Sequence, residues 1–505
     1  MFFYRNLKSN LVLSSKSDYV KTLIVYALFI LLLIQVERSY SSIVESVSKG
    51  VTIEYSIDEK EYNSPFIIID EIVLEGNRIT KPHIISRELL FKSGDTLLIN
   101  DFEKLLIGSR ENLLNTSLFN FVDIHAVLNP QNGSVINVSF VERWYLWPFP
   151  TLDIHERNVN SWLENPSLDR VSYGFYLVKD NFRGRMERIR LNFRAGYNER
   201  LSFSYNIPYL NYKQTWGLTF SAGYVRTREV NVMSLNNRQV FYKNPLEPVR
   251  TALYAQANFT HRKDFYLTHY FSLRYNYYEF ADILLQINPQ FVSGTSPNVQ
   301  FIGLKYEAIS DYRDIKAYPL QGHFNKLTVS QQGLNTFKND VSPVFSLASS
   351  HRRYWQLYDK WYFASGLNTK VSIGKNPPYF LQQGLGYRDD FVRGYEYYVI
   401  DSQHFAVLKT NLKYNLVPQR TKRISFIPGN RFGLLHYAIF INAFVDAGYT
   451  FDSYFYENNP YSNAFLGGTG IGIDFVTYYD KVFRTEFTYN RHGRFDVYFH
   501  LVAPI

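Results

Sequence analysis

The chain of 505 residues has no cysteine. Disulfide frameworks and thiolate metal centres are therefore excluded, and the absence suits a compartment where stray thiols are a hazard. Sustained apolar runs are also wanting, with a mean hydropathy of −0.23. The run from Thr22 to Ile34 is shorter than the roughly 20 residues a spanning helix needs, so a helical membrane protein is excluded. The 11 histidines are scattered, and no His-x-x-x-His, Gly-x-Ser-x-Gly or glycine-rich phosphate loop stands out. No catalytic set, metal site or cofactor is expected, and hence no enzyme. Clustering of charge is absent too. The net charge of +9 could speak for nucleic acid, but Lys and Arg are spread through tyrosine-rich segments without a nucleic-acid motif.

What the chain has is aromatic residues, 18% in all, with 42 Tyr and 41 Phe. Residues 1–40 stand apart. Arg5, Lys8, Lys16 and Lys21 precede the short apolar run, which reads as a secretory signal, with an uncleaved anchor as the alternative. Residues 41–65 have no period and read as a linker. Phe66 to Leu74 is strongly β-forming and ends at Gly76-Asn77. Thr80 is placed to cap a helix with Pro82 in its first turn, and Ile84, Ile85, Leu89 and Leu90 recur at helical spacing. Asn100 and Glu103 suggest a capping box for a second helix. Leu118–Leu128 and Val135–Val141 read as strands around Pro130-Gln131-Asn132-Gly133. The order over 66–143 is β-α-α-β-β.

The pattern Ile72-x-Leu74-x-Gly76-Asn77, Ile85-x-Arg87-Glu88-Leu89, Gly94-Asp95 and Leu113-x-Asn115-x-x-Leu118-Phe119-x-x-Val122 resembles a POTRA domain. POTRA domains are periplasmic modules of outer-membrane assembly factors of the BamA and TamA kind. Such a module offers a sheet edge to which an extended client can add a strand. Arg143-Trp144-Tyr145-Leu146-Trp147-Pro148 opens an aromatic connector over 144–170, suited to a membrane interface.

Two-residue alternation dominates 171–505. Leu201, Phe203, Tyr205 and Ile207 alternate with Ser202, Ser204 and Asn206; Phe271, Leu273, Tyr275 and Tyr277 alternate with Ser272, Arg274 and Asn276. Each segment has the length of a transmembrane β-strand with one apolar and one polar face. About eleven such segments precede residue 389 and about five follow 400, giving an even total of about 16 as bacterial barrels require. Those near 284–292 and 343–353 are weak. The expected fold is mainly β: a 16-stranded antiparallel transmembrane barrel behind one small α/β domain.

Val392-Arg393-Gly394-Tyr395 resembles the signature tetrapeptide of the same superfamily, and its place about five strands from the C-terminus matches. Asp180-Asn181-Phe182-x-Gly184, Asp311-x-Arg313-Asp314 and Tyr318-Pro319-x-x-Gly322 resemble its turn motifs. The resemblance implies that the loop bearing Arg393 folds into the lumen, where an arginine needs carboxylate partners. Alternation points Asp446 and Glu486 inward, and Phe444-Val445-Asp446-Ala447-Gly448 resembles the strand that receives the arginine. Asp446 is the first expected partner and Glu486 the second. Asp474 also faces inward but is expected to be solvated, as is the pair Asp389 and Asp390. The chain ends Val502-Ala503-Pro504-Ile505 rather than on an aromatic, which puts closure of the first-to-last seam in question.

The resemblance implies a protein of the Gram-negative outer membrane with its POTRA domain in the periplasm. It would receive unfolded outer-membrane or secreted clients and help to insert them, its first strand (Val171–Val178) and last (Asp496–Leu501) forming a weak seam. Outer-membrane lipid and accessory lipoproteins are the further partners implied; nucleic acid is not. The alternative is a two-partner-type secretion transporter passing one exported protein through the lumen. An outer-membrane lipase or lipid-handling barrel would need an acid-base-nucleophile set that cannot be assembled here.

Overall fold

A computed structural model describes residues 50–55, 65–129, 134–154, 171–211, 213–262, 266–423, 434–477 and 482–501. The signal-like segment 1–40, the turn 130–133 and the terminal residues 502–505 lie outside the described residues.

The first unit is a five-stranded sheet covered by two helices. Its strands are β1 (Val51–Tyr55), β2 (Phe66–Glu75), β3 (Thr96–Leu98), β4 (Phe119–Leu128) and β5 (Ser134–Glu142), in the order β1-β4-β5-β2-β3. The helices Pro82–Glu88 and Ile99–Asn115 lay Ile84, Ile85, Phe102, Leu106 and Leu113 on Ile67, Ile69, Val122, Ile124 and Ile136. The apolar spacing of these helices and the alternation of β4 therefore build one core, as their periods require.

Three local expectations fail here. Residues 51–55, expected within a linker, pair in parallel with Ile124–Leu128. Their apolar side chains Val51 and Ile53 are too few to announce a strand until β4 supplies the other half. Thr80 caps no helix, because its hydroxyl is engaged elsewhere, and Lys81 stands at the cap position. Asn100 lies inside its helix, which starts at Ile99 without a side-chain cap.

The second unit is a sixteen-stranded antiparallel barrel. Its strands are β6 (Leu146–Ile154), β7 (Val171–Phe182), β8 (Glu187–Gly196), β9 (Asn198–Ile207) and β10 (Trp216–Thr227), then β13 (Arg250–Arg262), β14 (Leu267–Phe280), β15 (Asn298–Asp311), β16 (Gly322–Gln332), β17 (Val344–Tyr358) and β18 (Trp361–Gly374). It continues with β19 (His404–Arg423), β20 (Leu434–Phe451), β21 (Phe465–Thr477), β22 (Val482–Asn490) and β23 (Phe495–His500). The hairpin β11 (Glu229–Leu235) and β12 (Arg238–Lys243) stands outside this sheet. Large apolar side chains such as Phe203, Leu253, Phe259 and Leu273 are exposed on the outer face, as a lipid-facing band demands.

The total of sixteen agrees with the sequence count, but its membership differs. The stretch expected as an aromatic connector contains the first strand, β6, paired along Val171–Lys179 of β7. Pro148 and Pro150 disguise it, because proline removes ladder donors and is tolerated only on an edge. The segment near 284–292 is a loop with a short helix, Ile283–Ile287. The segment near 343–353 is a full strand, β17.

The two units meet at the foot of the barrel. Glu142 accepts hydrogen bonds from Thr80 N at 2.7 Å, Thr80 Oγ1 at 2.5 Å and Ile79 N at 3.1 Å. Asn181 Nδ2 donates to Thr80 Oγ1 at 2.8 Å, and Lys81 N donates to Gly184 O at 2.9 Å. The hydroxyl expected to cap a helix instead ties the small domain to the β7–β8 turn.

Candidate functional site

The loop between β18 and β19 enters the lumen and seats Arg393 against the wall formed by β19–β22. Arg393 is fully buried. Its Nε donates to Asp446 Oδ2 at 2.8 Å and its Nη2 to Asp446 Oδ1 at 2.6 Å, the bidentate geometry that a guanidinium fork provides. Nη1 donates to Glu486 Oε1 at 3.2 Å, and Nη2 also reaches Thr410 O at 2.7 Å. The guanidinium lies over the Phe444 ring, 3.7 Å from its centroid. The structure thus brings Arg393 together with both acids named from alternation.

The backbone seats as closely as the charge. Gly394 has φ +92°, a conformation that side chains disfavour, and its N donates to Glu396 Oε2 at 2.8 Å. Asn490 Nδ2 donates to Gly394 O at 2.8 Å. Beneath the loop, a Cβ on Gly468 would lie 1.9 Å from Arg393 O. Val392 and Tyr395 fill a small apolar cluster with Leu385, Ile400, Phe405, Val407 and Leu466. All four signature residues therefore face the protein interior.

Asp474 corrects the expectation of a solvated lumen acid. It is fully buried and receives Arg484 Nε at 2.6 Å and Nη2 at 2.7 Å. Tyr318 Oη donates to it at 2.6 Å and Asn442 Nδ2 at 3.0 Å. A buried carboxylate is tolerable only with such satisfaction. Arg484 Nη1 lies 3.5 Å from Glu486 Oε1, so Glu486 joins the two arginines into one network. Arg484 was missed, although it shares the inward parity of Glu486. Tyr318 was not legible as a partner, because it comes from the β15–β16 turn, far away in sequence. Asp389 is exposed as expected, whereas Asp390 accepts a hydrogen bond from Asn368 Nδ2 at 2.8 Å.

Outside the barrel the same loop is clasped. The β11–β12 turn, Asn236-Asn237, has positive φ at both residues, the geometry of a tight hairpin. Asn237 N donates to Asn459 Oδ1 at 2.8 Å, Asn236 N to Asn458 O at 2.8 Å, and Val399 N to Asn237 O at 2.8 Å. Ser234 Oγ and Tyr387 Oη both donate to Asp401. Burial holds the Asp401 carboxyl above the usual carboxylate range.

Among the described residues, no ladder joins β6 to β23. Asp180 N donates to Tyr145 O at 2.7 Å, which sets the odd residues of β6 toward β7. Pro148 and Pro150 therefore turn their missing donors to the free edge. The last strand, with 6 residues, offers little length for pairing there.

No protein-family model matches the chain, and no curated protein matches its sequence. Solved structures do match. BamA from Haemophilus ducreyi lacking POTRA domains 1–3 is similar over 86% of this chain and 84% of its own, at 14% identity and a TM-score of 0.55. This chain has a BamA-type fold. CdiB from Escherichia coli is similar over 86% of this chain and 75% of its own, at 14% identity and a TM-score of 0.50. In this BamA-type barrel the inserted loop seats Arg393 against Asp446 and Glu486, and β6 and β23 are the two ends of the sheet among the described residues.

Proposed function

We propose that the protein resides in the outer membrane of a Gram-negative bacterium, receives unfolded polypeptides on its periplasmic domain and helps to insert them as barrels. The observation that carries this reading is the seam between β6 and β23. An edge strand in lipid leaves backbone groups unsatisfied, at a cost of several kcal/mol per group. A client strand that pairs there is stabilised by hydrogen bonds to the edge of β6, which no other described strand than β7 pairs. The work is then done by backbone pairing, without covalent catalysis. The small domain hydrogen-bonds to the barrel turns, so clients bound to its sheet are held near the barrel mouth.

A second reading, secretion of one exported polypeptide through the lumen, draws support from Arg190 and Arg200, which alternation turns toward the lumen and which are exposed there. Depleting the protein and comparing outer-membrane and secreted proteomes separates the two. Broad loss of barrel proteins is expected. Loss of a single secreted protein supports the second reading, and an unchanged protein profile overturns both.

A further inference from the structure

The two halves of the lumen are unlike in charge. Against β19–β22, Arg393 and Arg484 are buried and matched to Asp446, Asp474 and Glu486, while Lys409 and Lys413, also buried, lie over the rings of Phe391 and Tyr318. On β8, β9, β10, β13 and β14, alternation against the exposed Phe193, Leu201, Phe220, Leu253 and Leu273 fixes which residues face inward. Those inward positions carry several arginines and no aspartate or glutamate after Arg188. Among the described residues, Arg190, Arg200, Arg250 and Arg274 form no ion pair with a carboxylate. Arg190 and Arg200 are exposed to the lumen. Arg274 rests on neutral groups, Asn276 Oδ1 at 2.8 Å, Gln256 Oε1 at 3.3 Å and the Tyr254 ring. Arg250 is the least satisfied. Its Nε is enclosed without a hydrogen bond.

Registers order these cations into tiers. Arg190 pairs with Ser204, Ser204 with Ser221, Ser221 with Gln256 and Gln256 with Arg274, so Arg190 and Arg274 share one row. Arg200 lies opposite Arg194, four residues beyond Arg190, or about 13 Å up the wall. Arg250 stands opposite Thr227, which pairs with Asn198, nearer the outer rim. An extended peptide repeats its same-face side chains about every 6.6 Å, so two repeats match the spacing of the tiers. The foot of this wall lies beside the periplasmic domain. Gln214 Nε2 of the β9–β10 turn donates to His83 O at 3.2 Å, and Arg87 lies over Tyr209.

We propose that the β8–β14 wall of the lumen is a binding track for an acidic polypeptide segment in extended form. Uncompensated guanidinium groups inside a low-dielectric wall attract anions strongly. Strand addition on the periplasmic domain delivers its ligand extended, at the foot of this track. The inference rests on the protein's handling unfolded polypeptide, but it concerns which segments are held and where.

The test is binding of fluorescent hexaglutamate to the full-length protein folded in detergent, read by anisotropy at low ionic strength, with hexalysine for comparison. Wild type is expected to bind hexaglutamate and not hexalysine. Binding should weaken at least tenfold in the combined variant R190Q/R200Q/R250Q/R274Q and with added salt. Absence of binding, equal binding by the variant, or displacement by equimolar inorganic phosphate overturns the proposal, the last indicating a small oxyanion site. If the variant does not fold, benzophenone-labelled hexaglutamate is cross-linked to wild type. Adducts on β8–β14 uphold the track, and adducts elsewhere overturn it. Failure here with broad barrel loss on depletion refutes the track alone; binding without any depletion phenotype refutes the handling of clients.

Discussion

Arg393 and Asp446 share two parallel hydrogen bonds, of 2.8 and 2.6 Å, across 53 residues of sequence, with both side chains fully buried. The pair makes a loop from outside the membrane part of the barrel wall. Replacing Arg393 with alanine leaves Asp446 facing a void and removes one of the two arginines from Glu486. Breaking a buried pair in this way costs about 3–5 kcal/mol. R393A is expected to insert as a barrel but to lose its loop seat, with a lower transition temperature in heat-modifiability gels and impaired client assembly. R393K should not restore either property, because an ammonium cannot make the bidentate contact. Wild-type behaviour of R393A in both measurements would remove the loop from the mechanism.

The same seat can be disturbed without touching a charge. A Cβ at Gly468 would meet Arg393 O at 1.9 Å, whereas at Gly467 the nearest atom, in the Phe465 ring, is 3.6 Å away. G468A should therefore expose the loop to limited proteolysis between residues 386 and 400, and G467A should not. Equal protection of the two variants would mean that the loop does not rest on β21.

The seam predicts an effect of opposite sign. P148A/P150A restores two backbone donors on the free edge of β6. Pairing with β23 should then form, and each added hydrogen bond contributes about 0.5–1.5 kcal/mol. The expected outcome is slower hydrogen exchange on β6 and β23 together with slower client insertion. Faster insertion would contradict a working seam.

The outer clasp should respond to pH. Asp452, in the loop after β20, accepts hydrogen bonds from Gln403 Nε2, Tyr454 N and Phe455 N, yet burial pushes its carboxyl up to about 6. The folded clasp thus holds a proton that the unfolded segment releases near 4. Between about pH 4 and 6 the native state binds more protons, so clasp stability falls as pH rises through that window and stays lower above it. Burial shifts Asp401 in the same direction. Hydrogen-exchange protection over 452–463, taken relative to the base-catalysed intrinsic rate at each pH, should be greater at pH 4.5 than at pH 7.5, and D452N should flatten the difference. Greater protection at the higher pH would reverse the assigned sign.

Much of the architecture was legible in the chain. Alternation with period two is a local property, and a residue's parity in a strand fixes its face whatever the strand pairs with. Asp446 and Glu486 were therefore placed inward, and the same parity would have shown Arg484 and the arginines of β8–β14. Turn and helix signals were weaker guides. Thr80 and Asn100 have the chemistry of caps, but a hydroxyl goes to its strongest available acceptor, and Glu142 was 62 residues away.

The sequence by itself determined the inward and outward faces of the strands and the presence of a small α/β domain ahead of them, because each follows from periodicity within a segment. Only the tertiary structure decided the rest. It showed that residues 51–55 complete the small sheet, that Trp147-Pro148-Phe149-Pro150 belongs to the first barrel strand, and that Asp474 is paired rather than solvated. It also showed that the loop arginine is paired with carboxylates on one wall of the lumen while, among the described residues, Arg190, Arg200, Arg250 and Arg274 on the other are not. Each of these depends on which distant segment lies opposite. A strand edge, an ion pair or an unmatched charge is a relation between two surfaces, and no single segment encodes both.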